Sequence, residues 1–119
     1  MEADALRALS RTREAADAYD DAAARLPRAS SVAAAFSAAR LRLRELSDPA
    51  GALASLDAGA VDAVGSPLRE RALALGADAL AALGRTAELR EVARAYLRDY
   101  PLGSHAPRFA RLAGTDSPD

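Results

Sequence analysis

A chain of 119 residues with 16 basic and 17 acidic side chains, a formal net charge of −1 and a pI near 5.8 lacks the basic excess that a nucleic-acid surface needs. It has no cysteine, which excludes disulfides, thiolate nucleophiles and thiolate metal sites, and neither a bilayer-length apolar stretch nor a charged leader followed by an apolar segment can be read in it. Half the residues are apolar, alanine supplies most of that share, and only 4% are aromatic, a balance that favours closely packed helices and an all-α domain. Every basic residue is arginine and lysine, asparagine, glutamine and isoleucine are absent, as in the codon bias of a GC-rich bacterial genome.

Seven helices are predicted in chain order. A short one covers Ala3 to Leu9, and Thr12 caps a second that runs to about Leu26, with Glu14 in its first turn and Pro27 ending it. The third starts after Ser30 or Ser31 and reaches Leu46. Asp48-Pro49 opens the fourth, because aspartate accepts free amide protons and proline suits the first helical position; it is expected to reach about Asp62, before Gly65. Ser66-Pro67 opens the fifth by the same logic and Gly84 closes it. Thr86 and Glu88 begin the sixth, which ends at Tyr100-Pro101, and a short seventh follows Ser104. Connections this short make successive helices antiparallel neighbours. The polar stretch 114–119 is predicted to be a disordered tail.

The chain also repeats itself. Leu6, Leu43 and Leu80 fall 37 residues apart, as do Leu9, Leu46 and Leu83, and the register continues through Ser10, Ser47 and Gly84 and through Ala15, Ala52 and Leu89. A period of this size marks helical hairpins that bury their apolar faces against one another, stacked as a short right-handed solenoid. The register divides residues 1–113 into a half repeat 1–27, repeats 30–64 and 67–101, and a terminal helix 104–113. It places Ala15, Tyr19, Leu43, Leu46, Ala52, Leu56, Leu73, Leu80, Leu83, Leu89, Ala93 and Tyr96 in the core.

Leu9-Ser10-Arg11-Thr12-Arg13-Glu14-Ala15 through Tyr19, Ala22 and Pro27 resembles the second helix of a tetratricopeptide repeat, and Leu83 through Ala93, Tyr96 and Pro101 resembles it again. The middle copy departs from that pattern, with Leu56 at the aromatic position, Gly59 at a small-residue position and Val64 in place of the proline. The segment Tyr96 to Arg108 also resembles the repeat junctions of bacterial envelope proteins, which implies a periplasmic or cell-envelope context. What the family likeness implies is a non-enzymatic scaffold that holds a peptide or partner domain in a concave groove. Carried over by register, that groove comprises Ser37, Leu41, Arg44 and Glu45 beside Arg71, Leu75 and Asp78, with Arg7 before them and Arg108 and Arg111 after. Arginine's planar fork grips a carboxylate through two parallel hydrogen bonds, which suits an acidic or C-terminal peptide, whereas the alternative is that the same arginines pair with acids on neighbouring helices and solvate the face. The family's carboxylate-clamp subclass relies on asparagine and lysine, and this chain has neither.

No catalytic, cofactor-binding or metal-binding residue is expected. His105 is the single histidine, the acids Asp20, Asp21, Asp57, Asp62 and Asp78 are spread along solvent-facing positions, and no phosphate loop, nucleophile elbow or dinucleotide fingerprint occurs. An alternative function is structural: an oligomerising segment of a larger envelope or regulatory protein that pairs through its open repeat ends.

Overall fold

The computed structural model describes residues 2–114, and the protein is all-helical over that range, with no strand among the described residues. The helices are α1 (Glu2–Arg25), α2 (Arg28–Arg44), α3 (Pro49–Ala58), α4 (Arg69–Ala82), α5 (Thr86–Asp99) and α6 (Ala106–Gly114). The tail expected over 114–119 lies outside the described residues, except Gly114, which ends α6. No helix among the described residues is long and apolar enough to cross a membrane.

Among the described residues six helices stand where seven were expected, because the first two are one. No glycine or proline interrupts Leu9 to Thr12, and Thr12, instead of capping a helix, donates its hydroxyl to the Ala8 carbonyl at 3.0 Å within a continuous α1. At the repeat-equivalent positions the backbone does turn, with Ser47 at φ 50° and Gly84 at φ 70°. Three further boundaries move. α2 begins directly after Pro27, and Ser31 donates its hydroxyl to the Ala23 carbonyl at 2.6 Å, tying α2 to α1. α3 stops at Ala58, since Gly59 leaves the helical region and Ala60 takes φ 49°. α4 starts at Arg69, not Pro67, after a turn in which the Ser66 hydroxyl oxygen accepts the Leu68 amide at 3.3 Å. The predicted cap at Asp48 forms, its carboxylate accepting the Gly51 amide at 2.9 Å.

Each helix packs on the next in sequence, and α2 also touches α4. The extents are 52 × 37 × 21 Å and the radius of gyration is 15.4 Å. A rounded domain of this length would have a radius of about 13.5 Å, so the helices form a flattened stack.

Two apolar clusters meet along α4. One joins Leu73, Ala77 and Leu80 to Leu89, Ala93 and Tyr96 of α5 and Phe109 of α6; the other joins Ala72 and Leu75 to Val32, Ala35 and Ala39 of α2 and to Ala52 and Leu56 of α3. Alanine on both sides of these contacts lets helix axes approach closely. Of the expected core, Ala52, Leu56, Leu73, Leu80, Leu89, Ala93 and Tyr96 are buried and Ala15, Leu43 and Leu46 half-buried. Two expectations fail: Tyr19 is 43% exposed and Leu83 37% exposed. Tyr19 turns away from α2, against which Ala16 is the fully buried contact of α1, and Leu83 sits at the very end of α4, where the chain turns at Gly84.

Candidate functional site

Helical spacing brings a basic face together. Phe36, Arg40 and Arg44 lie four residues apart on α2, and Arg71, Leu75 and Asp78 lie four and three apart on α4, so each set shares one helix face and the contact between the two helices sets the rows side by side. Between them lies a cleft of about 210 Å³ lined by Phe36, Arg40, Arg44, Arg71, Ala74, Leu75, Asp78 and His105.

Asp78 is its electrostatic hinge. One carboxylate oxygen accepts from Arg44 at 2.7 Å and the other from Arg108 at 2.5 Å, linking α2, α4 and α6 in one row. Arg71 places its guanidinium 5.4 Å above the Phe36 ring and Arg108 places its own 5.0 Å above the Phe109 ring. Arg40 is exposed and makes no ion pair among the described residues. Arg44 and Arg108 thus share one carboxylate, and Arg40 and Arg71 line the same cleft, on a chain whose net charge is −1.

His105 enters the cleft from the turn before α6. Its ring meets Tyr96 edge-on at 6.0 Å, and its backbone amide donates to the Tyr96 hydroxyl at 3.1 Å. That hydroxyl in turn donates to Glu70 Oε2 at 2.6 Å, so the turn that carries His105 and leads into α6 with Arg108 is anchored to α4 and α5.

Among the residues expected in the groove, Arg44, Arg71, Leu75 and Asp78 line the cleft and Arg108 joins them through Asp78. Leu75 contributes only an edge, because it is buried in the core cluster. Ser37 and Leu41 are half-buried on other faces of α2, outside the cleft lining, and Glu45 is exposed where α2 ends. Arg7 lies on α1, paired with Asp4 at 3.9 Å, and Arg111 is exposed in the last turn of α6; neither lines the cleft. Phe36, Arg40 and His105 were not anticipated. The i, i+4, i+8 spacing of Phe36, Arg40 and Arg44 carries the signal for the first two, whereas His105 arrives only through the fold of the turn before α6.

Other clefts lie among the described residues. One of about 350 Å³ between α1, α2 and α3 is walled by small residues and closed by Arg42, which binds Asp17 at 2.8 Å and Asp20 at 2.6 Å. Those carboxylates hold the Arg42 guanidinium above its ordinary pKa, Asp20 first. Another, of about 400 Å³, lies between α3 and α5 and is acidic.

No family model, curated protein or solved structure matches this chain.

Proposed function

We propose that the protein is a non-enzymatic scaffold of the tetratricopeptide kind that holds an acidic segment of a partner protein across the α2–α4 cleft. The observation that carries this reading is the ratio of charge on that face: Arg44 and Arg108 share Asp78, and Arg40 and Arg71 stand beside them without an ion pair among the described residues, while the chain as a whole is slightly acidic. Counter-charge for the remaining guanidinium groups has to come from solvent ions or from a ligand. Arginine forks favour planar carboxylates, and the Phe36 ring and Ala74 offer a small apolar floor beside them.

Support for the solenoid comes from the packing of each helix on the next, the added contact between α2 and α4, and the left-handed residues Ser47 and Gly84 in step with the sequence repeat. Support for pre-organisation comes from Asp78, which fixes Arg44 and Arg108 before any ligand arrives.

The test is a titration of the full chain with a labelled peptide of alternating glutamate and leucine, against the same peptide with glutamine for glutamate. The acidic peptide should bind and the neutral one should not; equal binding of both would overturn the reading.

A further inference from the structure

The N-terminal arm of α1 carries an exposed apolar face with no partner among the described residues. One face of this helix carries Leu6, Leu9, Arg13, Ala16, Asp20 and Ala23 at alternating spacings of three and four. The second half of that face is seated on α2: Ala16 is fully buried, and Asp20 binds Arg42 at 2.6 Å. The first half runs past the end of α2. Asp17 pairs with Arg42, only two residues before α2 ends at Arg44, yet α1 extends from Asp17 back to Glu2. Along that stretch Leu6 is 67% and Leu9 43% exposed, and Arg11 and Arg13 make no ion pair among the described residues.

The cleft between α3 and α5 has the opposite character. Its floor is apolar, with Leu53 and Leu56 of α3 and Val92 of α5 around Gly76 of α4. A Cβ built on Gly76 would stand in ordinary contact with Leu56 at 3.8 Å and Leu53 at 3.9 Å, so the glycine leaves room for a methyl group between those side chains. Its rim carries Asp57, Asp62 and Glu91, none of which makes an ion pair among the described residues. The single arginine there, Arg85, is already held by Glu88 at 2.6 Å.

We infer that the α1 arm of one molecule docks in the α3–α5 cleft of another, seating Leu6 and Leu9 over Gly76 and setting Arg13 against the Asp57, Asp62 and Glu91 rim. The pairing matches an apolar ridge with free guanidinium to an apolar trough with free carboxylates. Within one molecule α1 lies against α2, and its arm points beyond that helix, so the occupant is a second copy. The surfaces differ, which makes the contact head-to-tail and open-ended. An arm of some ten residues is smaller than a standard interface, so association in the range of about 10 μM to 1 mM is expected. The groove reading is independent of this inference, because the two use different residues.

Sedimentation velocity on the full chain tests it, with two double variants at exposed positions. The average mass of the wild type should rise with concentration up to about 1 mM. Leu6→Ser/Leu9→Ser removes the arm but keeps the cleft, and Asp57→Arg/Glu91→Arg removes the cleft but keeps the arm. Each alone should stay monomeric, and an equimolar mixture should form a species of twice the monomer mass and nothing larger. A monomeric wild type, continued association of either variant, or a mixture that stays monomeric would each overturn the inference. If circular dichroism finds either double variant unfolded, Arg13→Glu replaces it: association should weaken at least fivefold, and should be recovered on mixing with Asp57→Arg. Undiminished association of Arg13→Glu at low salt would overturn the docking as well.

Discussion

The hydroxyl of Tyr96, on α5, donates a 2.6 Å hydrogen bond to Oε2 of Glu70, on α4, and accepts the His105 amide at 3.1 Å. Tyr96 is fully buried, so this one oxygen joins the two helices and fixes the turn that presents His105 and Arg108 to the basic cleft. Tyr96→Phe removes both bonds and leaves a part-buried amide unsatisfied, a change that costs about 1–3 kcal/mol. Chemical denaturation should register that loss.

The same hydroxyl predicts an alkaline limit. Burial and then the Glu70 carboxylate raise its pKa above the ordinary tyrosine value of 10.0. The folded protein therefore keeps a proton that the unfolded chain releases, and the stability this confers, present below pH 10, declines as pH climbs above it. Stability measured from pH 9 to 11 should fall less steeply in Tyr96→Phe than in the wild type. Parallel slopes would contradict the assignment.

Gly103 lies against this hydroxyl. A Cβ at position 103 would come within 2.2 Å of the Tyr96 oxygen and 2.6 Å of Glu70 Oε2, so one of the two must move. Gly103→Ala should destabilise by about 1–3 kcal/mol, and in the Tyr96→Phe background the penalty should shrink because the closest atom is gone. A double-mutant cycle reads the coupling.

Leu80 and Leu83 occupy the same hydrophobic register yet should respond differently. Leu80 is 4% exposed in the cluster between α4 and α5, and Leu80→Ala should cost about 2–5 kcal/mol, lowering the melting temperature by about 10 °C or more. Leu83, at the edge of α4, should lose less than about 1 kcal/mol on truncation. Thermal melts of the two variants decide.

What the sequence makes legible is local. Asp48 before a proline names a helix start, and Pro27, Gly84 and Pro101 mark ends, because capping and backbone geometry act within a turn. The break expected near Ser10 rests on Thr12 as a cap, but with no glycine or proline there the helix continues and Thr12 bonds the preceding turn. Leu75 is apolar on the predicted face, and only packing against both α2 and α3 reveals that it is core. Pairings such as Tyr96 with Glu70, or Arg69 with Asp99, join residues 26 and 30 positions apart, and no spacing rule reaches that far. The basic cleft was half legible for the same reason: Arg44, Arg71 and Asp78 follow from register, whereas His105 depends on a turn that tertiary contacts shape.

The groove is tested most directly by Arg40→Ser/Arg44→Ser/Arg71→Ser. This set leaves Arg108 on Asp78, so the carboxylate keeps a partner and the fold is undisturbed; exposed ion pairs contribute only about 0–1 kcal/mol each, and the melting temperature should stay nearly the same. Affinity for the glutamate–leucine peptide, measured by fluorescence anisotropy at low salt, should fall at least tenfold. The wild-type affinity should also weaken with added salt as screening shortens to about 8–10 Å, and the variant's should hardly change. Retention of wild-type affinity by a folded triple variant would contradict the account.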